Sequence, residues 1–418
     1  MNSRQRIQFA INHKYTDKIP VDFGATTVTG ISASMVSRLR DYYRLDGKPV
    51  KVIEPYEMLG EIRDDLKNKM GIDCIALRGK KNSFGFENNK WKAWKLFDGT
   101  PVLVPGLFNT EIEKDGSIFQ YPEGDINAAP SGRMPKGGYY FDAIIRQPYL
   151  DFDNLRIKDN IEEFKFISDQ ELKYLEKEVN YLYKNTDFAI ALEFGGTSFG
   201  DLAQLPGIAM KNPKGIRDLQ EWYIALIKNK YYINEIFNRQ CEIALKNLQK
   251  IYQAVFNKID VIFTSGTDFG TQTSLSISVD IFNELFKPFY KKVNEWIHKN
   301  TKWKIFIHSC GAIKPLITYF IDAGFYILNP VQLSAKGMNA VELKEKYGRD
   351  IVFWGGGVDT QKTLPFGTEE EVIKEVTERI KIFGRGGGFV FSSIHNIQAK
   401  TPIKNIISMI NAVNSFRI

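Results

Sequence analysis

Along most of the chain, short and nearly continuous apolar runs alternate with longer stretches in which apolar residues recur every three to four positions. The apolar runs fall at residues 20–24, 73–78, 187–195, 261–265, 303–308, 324–329, 351–354 and 388–392. A half-exposed antiparallel strand shows a polar residue at every second position; these runs do not. They predict strands buried on both faces, as in a parallel sheet covered by helices. Helical periodicity occupies residues 3–12, 32–45, 58–69, 219–252, 278–300, 340–347, 368–383 and 402–415. Eight strands alternating with helices predict an α/β chain folded as a (β/α)8 TIM barrel with a helical segment at its N-terminus. The texture changes between residues 81 and 150. Polar and apolar residues alternate around Trp91 and Trp94, and Asp98-Gly99 and Asp115-Gly116 are hairpin-turn pairs. This stretch predicts an antiparallel β insertion with a long loop, placed after the second strand within one domain spanning residues 1–418.

The barrel pattern gives the chemistry an address. In such barrels the functional face lies at the C-terminal ends of the strands. His308 and Cys310 stand there, flanking Ser309 at the end of the run that starts at Trp303. Side chains two apart on a strand share a face, so an imidazole and a thiol aim at one point and form a soft metal-binding pair. The chain holds only four histidines and three cysteines, which makes a chance pairing uncommon. His395 follows the last strand run and becomes the third candidate ligand if the fold brings the two ends together. Glu193 and Asp268 also sit at strand ends beside glycine-containing turns. They are candidate catalytic carboxylates, with helix capping as the competing role. Gln332 and Asp359 close two later runs and are candidate substrate-binding groups. The run Gly384-Arg385-Gly386-Gly387-Gly388 precedes a strand and so reads as a helix stop and tight turn, not as a phosphate loop.

Bulk properties narrow the class. Hydrophobic residues make up 43% and charged residues 25%, which is an ordinary globular balance able to bury a large core. The net charge of +7 is spread over Lys/Glu mixtures on helical stretches, with no arginine-rich tract carrying interleaved aromatics, so no nucleic-acid partner is expected. No run approaches the ~20 apolar residues needed to span a bilayer. Cys74 and Cys241 lie singly in apolar surroundings and read as buried structural thiols, which fits a reducing, cytoplasmic setting.

Several of these segments together resemble the uroporphyrinogen decarboxylase superfamily. They are Arg6 to Ala10 with Asp17 to Val21, Asp268 to Gln272, His308 to Gly311, Asn329 to Gln332, Trp354 to Asp359, and the closing stretch from Gly387 through His395 to Pro402. The likeness is greater to the cobalamin-dependent methyltransferase branch. Haem-pathway members carry an arginine-rich loop after the first strand and an aspartate after the second. Here those places hold Gly24 to Gly30 and Arg78 to Lys81, so that motif is absent. The resemblance implies a TIM barrel and a zinc site whose first two ligands fall on His308 and Cys310. His395 replaces the cysteine expected third, and Gln332 stands where related enzymes add a glutamate. It further implies methyl transfer between a methylated small molecule, thiol or folate and a corrinoid such as methylcobalamin, carried by a small corrinoid-binding protein. The alternative within the superfamily is a decarboxylase-like lyase acting on a tetrapyrrole or small carboxylate.

Overall fold

The structure, a computed structural model, describes residues 1–416. Its centre is a curled sheet of seven parallel strands, hydrogen-bonded in chain order. They are β1 (Cys74–Leu77), β2 (Ala189–Glu193), β3 (Val261–Ser265), β4 (Lys304–His308), β5 (Ile327–Asn329), β6 (Val352–Trp354) and β7 (Phe389–Val390). The period-two alternation of strands sorts their side chains into two cores. Ala189, Ala191, Val261, Phe263, Phe306, Val352, Trp354 and Val390 pack together inside the curl. Their sequence neighbours, such as Ile190, Ile262, Ile305 and Phe353, join the larger outer core beneath the helices.

Seven strands form where eight were predicted. The first apolar run, residues 20–24, makes a single bridge between Val21 and Phe391. It still bonds to both edges of the sheet. Asp22 N–H donates to Phe391 O at 2.9 Å, Phe391 N–H to Pro20 O at 2.8 Å, and Asp73 N–H to Val21 O at 2.8 Å. Pro20 offers no N–H, and Gly24 turns the chain away at φ +93°, so the run is too short for a ladder. The fold is α/β and TIM-barrel-like.

Helix α1 (Ser3–Ala10), opened by a capping box between Asn2 and Gln5, plugs the N-terminal face of the curl. Ile7 and Ala10 enter the inner core. Arg6 Nη1 pairs with Asp73, Arg4 N–H donates to Asp187 O, and Gln8 Nε2 donates to Asp260 Oδ1 at 2.7 Å. These acids stand within two residues of the starts of β1, β2 and β3. Only the opposite face stays open.

The insertion forms both predicted hairpins but not one antiparallel sheet. Lys92–Lys95 and Pro101–Val104 pair around Asp98-Gly99, and Thr110–Ile112 and Ile118–Gln120 pair around Asp115-Gly116. Gly132–Met134 and Asp142–Ala143 extend the second pair into an antiparallel meander. The first hairpin instead recruits Val50–Glu54, which runs parallel to Pro101–Val104 and antiparallel to Leu59–Gly60. The helix predicted from residue 58 therefore shrinks to Asp64–Met70. Met58 has φ +52°, and at Gly60 a side chain would meet the Ala33 backbone at 2.9 Å, so that stretch turns and packs closely instead of coiling. The long helical pattern at 219–252 breaks at Asn229 into Leu219–Lys228 and Lys230–Val255. The longest helix outside the predicted set, Asp169–Asn185, is capped by Ser168 and packs on the second of these. Among the described residues no helix is long and apolar enough to cross a membrane.

Candidate metal centre and its cavity

Inside the curl, Phe306 meets Phe263 and Trp354 edge to face, with ring centroids 5.4 and 5.6 Å apart. His308 and Asn329 stand two residues beyond Phe306 and Ile327 on β4 and β5, so strand alternation sets both above this aromatic layer, facing the mouth. His308 Nδ1 lies 2.6 Å from Asn329 Oδ1, while Asn329 Nδ2 donates to Trp354 O at 2.8 Å. The carbonyl of Trp354 takes the amide N–H, so the amide oxygen must face the imidazole. His308 therefore carries its proton on Nδ1 and turns the lone pair of Nε2 outward. Cys310 Sγ is 3.3 Å from that nitrogen.

His395 reaches the same point from the segment after β7. Asn396 fixes that segment by donating to Thr27 O at 2.8 Å and by pairing with Gly30 N–H and the Glu57 carboxylate. The His395 and His308 rings lie 5.4 Å apart at 72°. The ligating atoms of His308, Cys310 and His395 all fall within 4.8 Å of one another. Tetrahedral zinc, with bonds of about 2.0–2.3 Å, places its ligand atoms roughly 3.3–3.7 Å apart, so the triad fits zinc with small side-chain adjustments. Burial pushes both imidazoles down to about 4, with the His308 ring adding to the effect at His395. Both are thus neutral, as metal ligands must be. Burial and the neighbouring Asp268 push the Cys310 thiol up, so a cation at the centre is what would favour its thiolate.

Asp268 joins this group through a backbone crossing that only glycine permits. A Cβ on Gly311 would lie 2.4 Å from Gly270 C, and one on Gly270 would lie 2.6 Å from Cys310 O. The loops after β3 and β4 thus touch directly. Cys310 N–H donates to Asp268 Oδ1 at 2.6 Å, and Phe269 N–H to Ser309 Oγ at 2.9 Å. Asp268 Oδ1 is 3.8 Å from His308 Nε2, and burial raises its carboxyl.

The other three sequence candidates are not brought to the triad. Glu193 is ion-paired to Arg78 at 3.1 Å and accepts Thr27 N–H. Gln332 accepts Gly311 N–H at 2.7 Å and donates to Gln272 at 3.1 Å, which spends both ends of its amide on holding loops. Asp359 accepts the N–H groups of Gln361 and Lys362 in a local turn.

Above the triad lies a cavity of about 470 Å³, with His308, His395 and Asp268 on its floor. Its walls hold groups that sequence reasoning missed. Glu54, Tyr56 and Glu57 arrive from the end of the Val50–Glu54 strand, Asp201 from the loop after β2, and Trp222 from the Leu219–Lys228 helix. Burial raises Glu54, and lifts Glu57 and Asp201 to about 7. The alternating run Val50-Lys51-Val52-Ile53-Glu54 was the available signal for the first group; nothing local marks Asp201.

Residues 210–416 match the family model described as uroporphyrinogen decarboxylase (URO-D). No curated protein matches the chain by sequence. Among solved structures, a methyltransferase from Methanosarcina mazei is similar over 100% of this chain and 99% of its own, with 16% identity and a TM-score of 0.54. At that identity the likeness establishes the fold alone. A structure described as a glycerophosphoryl diester phosphodiesterase, from Silicibacter pomeroyi DSS-3, covers 97% of this chain and 98% of its own, at 9% identity. Its TM-score of 0.36 is too low to carry an argument.

Proposed function

Residues 210–416 place the chain in the uroporphyrinogen decarboxylase superfamily, and from that premise we propose that it is a zinc-dependent methyltransferase of a corrinoid pathway. It moves a methyl group between a methylated small molecule, thiol or folate and a corrinoid, which a small corrinoid-binding protein presents at the barrel mouth. The observation that carries this reading is the convergence of His308, Cys310 and His395, with both imidazoles on the floor of a substrate-sized cavity. When bound there, zinc supplies an open Lewis-acid position that stabilises a substrate thiolate or polarises the heteroatom bearing the methyl group.

The chain's own groups supply the rest. Asn329 holds the His308 ring with Nε2 facing the centre. Asp268, beside the triad with a raised carboxyl, is placed to hold the proton that a substrate gives up on binding. The Tyr56 and Trp222 walls exclude water and fix the substrate's approach, so positioning is the main further contribution. A tetrapyrrole polycarboxylate suits this cavity poorly, because carboxylates line it and, among the described residues, no lysine or arginine does. That disfavours the decarboxylase-like alternative.

The test is metal content together with turnover. Purified protein should carry zinc and transfer methyl groups between methylcobalamin and a thiol or tetrahydrofolate from a panel. Cys310→Ser and His395→Ala should lose the zinc and reduce transfer by more than the ~100-fold that loss of a supporting residue costs, with circular dichroism unchanged. Undiminished transfer by a zinc-free wild-type protein, or coproporphyrinogen formed from uroporphyrinogen, would overturn the reading.

A further inference from the structure

The chain as a whole is positive, at +7, but the cavity above the triad has the opposite sign. Five carboxylates line it, on Glu54, Glu57, Glu163, Asp201 and Asp268, and among the described residues no lysine or arginine does. Glu163 is answered from behind by Arg217 Nη1 at 2.7 Å. Among the described residues, none of the other four has a lysine or arginine partner. Their contacts are neutral donors: Tyr56 N–H on Glu54 at 3.0 Å, the Asn396 amide on Glu57, Ala203 N–H on Asp201 at 2.9 Å and Cys310 N–H on Asp268. Glu54 and Asp201 are only 7% and 8% exposed, so leaving them without a countercharge is costly.

The missing charge is not a second metal ion. Among the described residues, His308, Cys310 and His395 form the only cluster of three or more ligating groups close enough to share one. The carboxylates instead ring an open volume, and Tyr56, Trp222 and Phe263 form aromatic walls between them. Burial lifts Glu57 and Asp201 to about 7, and an entering cation favours their ionised forms. Dispersed carboxylates with aromatic faces are the chemistry that holds an alkylated cation, which is attracted to ring quadrupoles and is weakly hydrated.

We propose that the cavity takes a small organic cation, with an alkylated ammonium or sulfonium head seated among Glu54, Glu57, Asp201, Tyr56 and Trp222. A quaternary ammonium has no lone pair, and the positive charge of a sulfonium makes its remaining pair too poor a donor to ligate a metal cation, so the triad meets another part of the same molecule, a hydroxyl, thiol or carboxylate. An acidic, aromatic wall above a floor that holds His308 and His395 suits such a two-ended ligand. The inference rests on the methyl-transfer reading only for what happens at the floor.

Calorimetric titration of the purified holoprotein tests it, with choline, tetramethylammonium and the neutral carbon isostere of choline, 3,3-dimethylbutan-1-ol. Choline should bind about tenfold or more tightly than the isostere. Glu57→Gln and Asp201→Asn should each weaken choline severalfold and leave the isostere unmoved. Should Asp201→Asn fail to fold, Glu57→Gln at the less buried position carries the test. Equal binding of cation and isostere, preference for an anionic methoxybenzoate, or variants that leave choline affinity unchanged would overturn the proposal. Zinc is measured on the same samples. Loss of cation preference with zinc and methyl transfer intact removes this inference alone. Cation binding by a wild-type protein that holds no zinc and transfers no methyl group removes the methyltransferase reading alone.

Discussion

At the N-terminal face of the barrel, Asp73 lies against the Arg6 guanidinium and accepts Val21 N–H at 3.0 Å, and Arg6 also clasps Asp17 through two nitrogens. At the C-terminal mouth, Glu54, Glu57 and Asp201 face a cavity with no lysine or arginine among the described residues that line it. Both ends bury carboxylates. One end closes its charges with a helix that plugs the barrel, and the other leaves them open to whatever enters. The first arrangement stabilises the fold. The second gives up stability for a field that a bound ligand can use, which is the division of labour expected between the two faces of such a barrel.

Three substitutions break or sharpen this contrast. The largest effect belongs to the closed end. Arg6→Ala leaves the Asp73 carboxylate, 1% exposed, without its countercharge. It should cost about 3–5 kcal/mol of stability in denaturant titration. Zinc content of the folded fraction should not change, and a parallel fall in zinc would show the ends to be coupled. At the open end, Asn329→Ala frees the His308 ring. It should weaken zinc about 10–100-fold in competition with a chelator, with a smaller change in melting temperature than Arg6→Ala. A melting loss as large as that of Arg6→Ala would make Asn329 a fold residue instead.

The gentlest effect is with pH. Burial lifts Asp201 to about 7, whereas in the unfolded chain an aspartate ionises near 4. Between those values the unfolded chain has already lost the proton that the folded one keeps. This group's contribution to stability therefore falls as pH rises from about 4 to about 7, then levels, with a slope of at most about 1.4 kcal/mol per pH unit. Asp17, held well below the usual range by Arg6, has the opposite sign: its contribution is present at neutral pH and fades only below about 4. Melting temperature should accordingly rise as pH is lowered from 8 towards 6, and the rise should shrink in Asp201→Asn. An unchanged slope in that variant would mean that Asp201 is ionised in the fold.

Much of the barrel could be read from local pattern. The seven ladder strands fall within seven of the eight apolar runs, because a strand covered on both faces must be continuously apolar. The eighth run reads the same in sequence, yet its length between Pro20 and Gly24 leaves it one bridge. The helix expected from residue 58 failed for another reason. Val50–Glu54 found an edge on the Pro101–Val104 hairpin, a pairing partner that no local window contains. Of the site, His308 and Cys310 were legible as a pair because strand alternation joins i and i+2. Glu193 and Asp359 carried the same strand-end signal, and only their partners, Arg78 and the Gln361 and Lys362 amides, reveal that their oxygens are engaged locally.

The sequence by itself thus determined the α/β alternation, the face on which the chemistry lies, and the imidazole–thiol pair at the end of β4, since each follows from periods of two and 3.6 residues. The tertiary structure alone decided that His395 completes the triad, that Asn329 sets the His308 tautomer, and that five carboxylates from four separate segments surround one cavity. Those relations depend on the curl of the sheet and on loops crossing at Gly270 and Gly311, and separations of dozens to hundreds of residues leave no periodic trace in the chain.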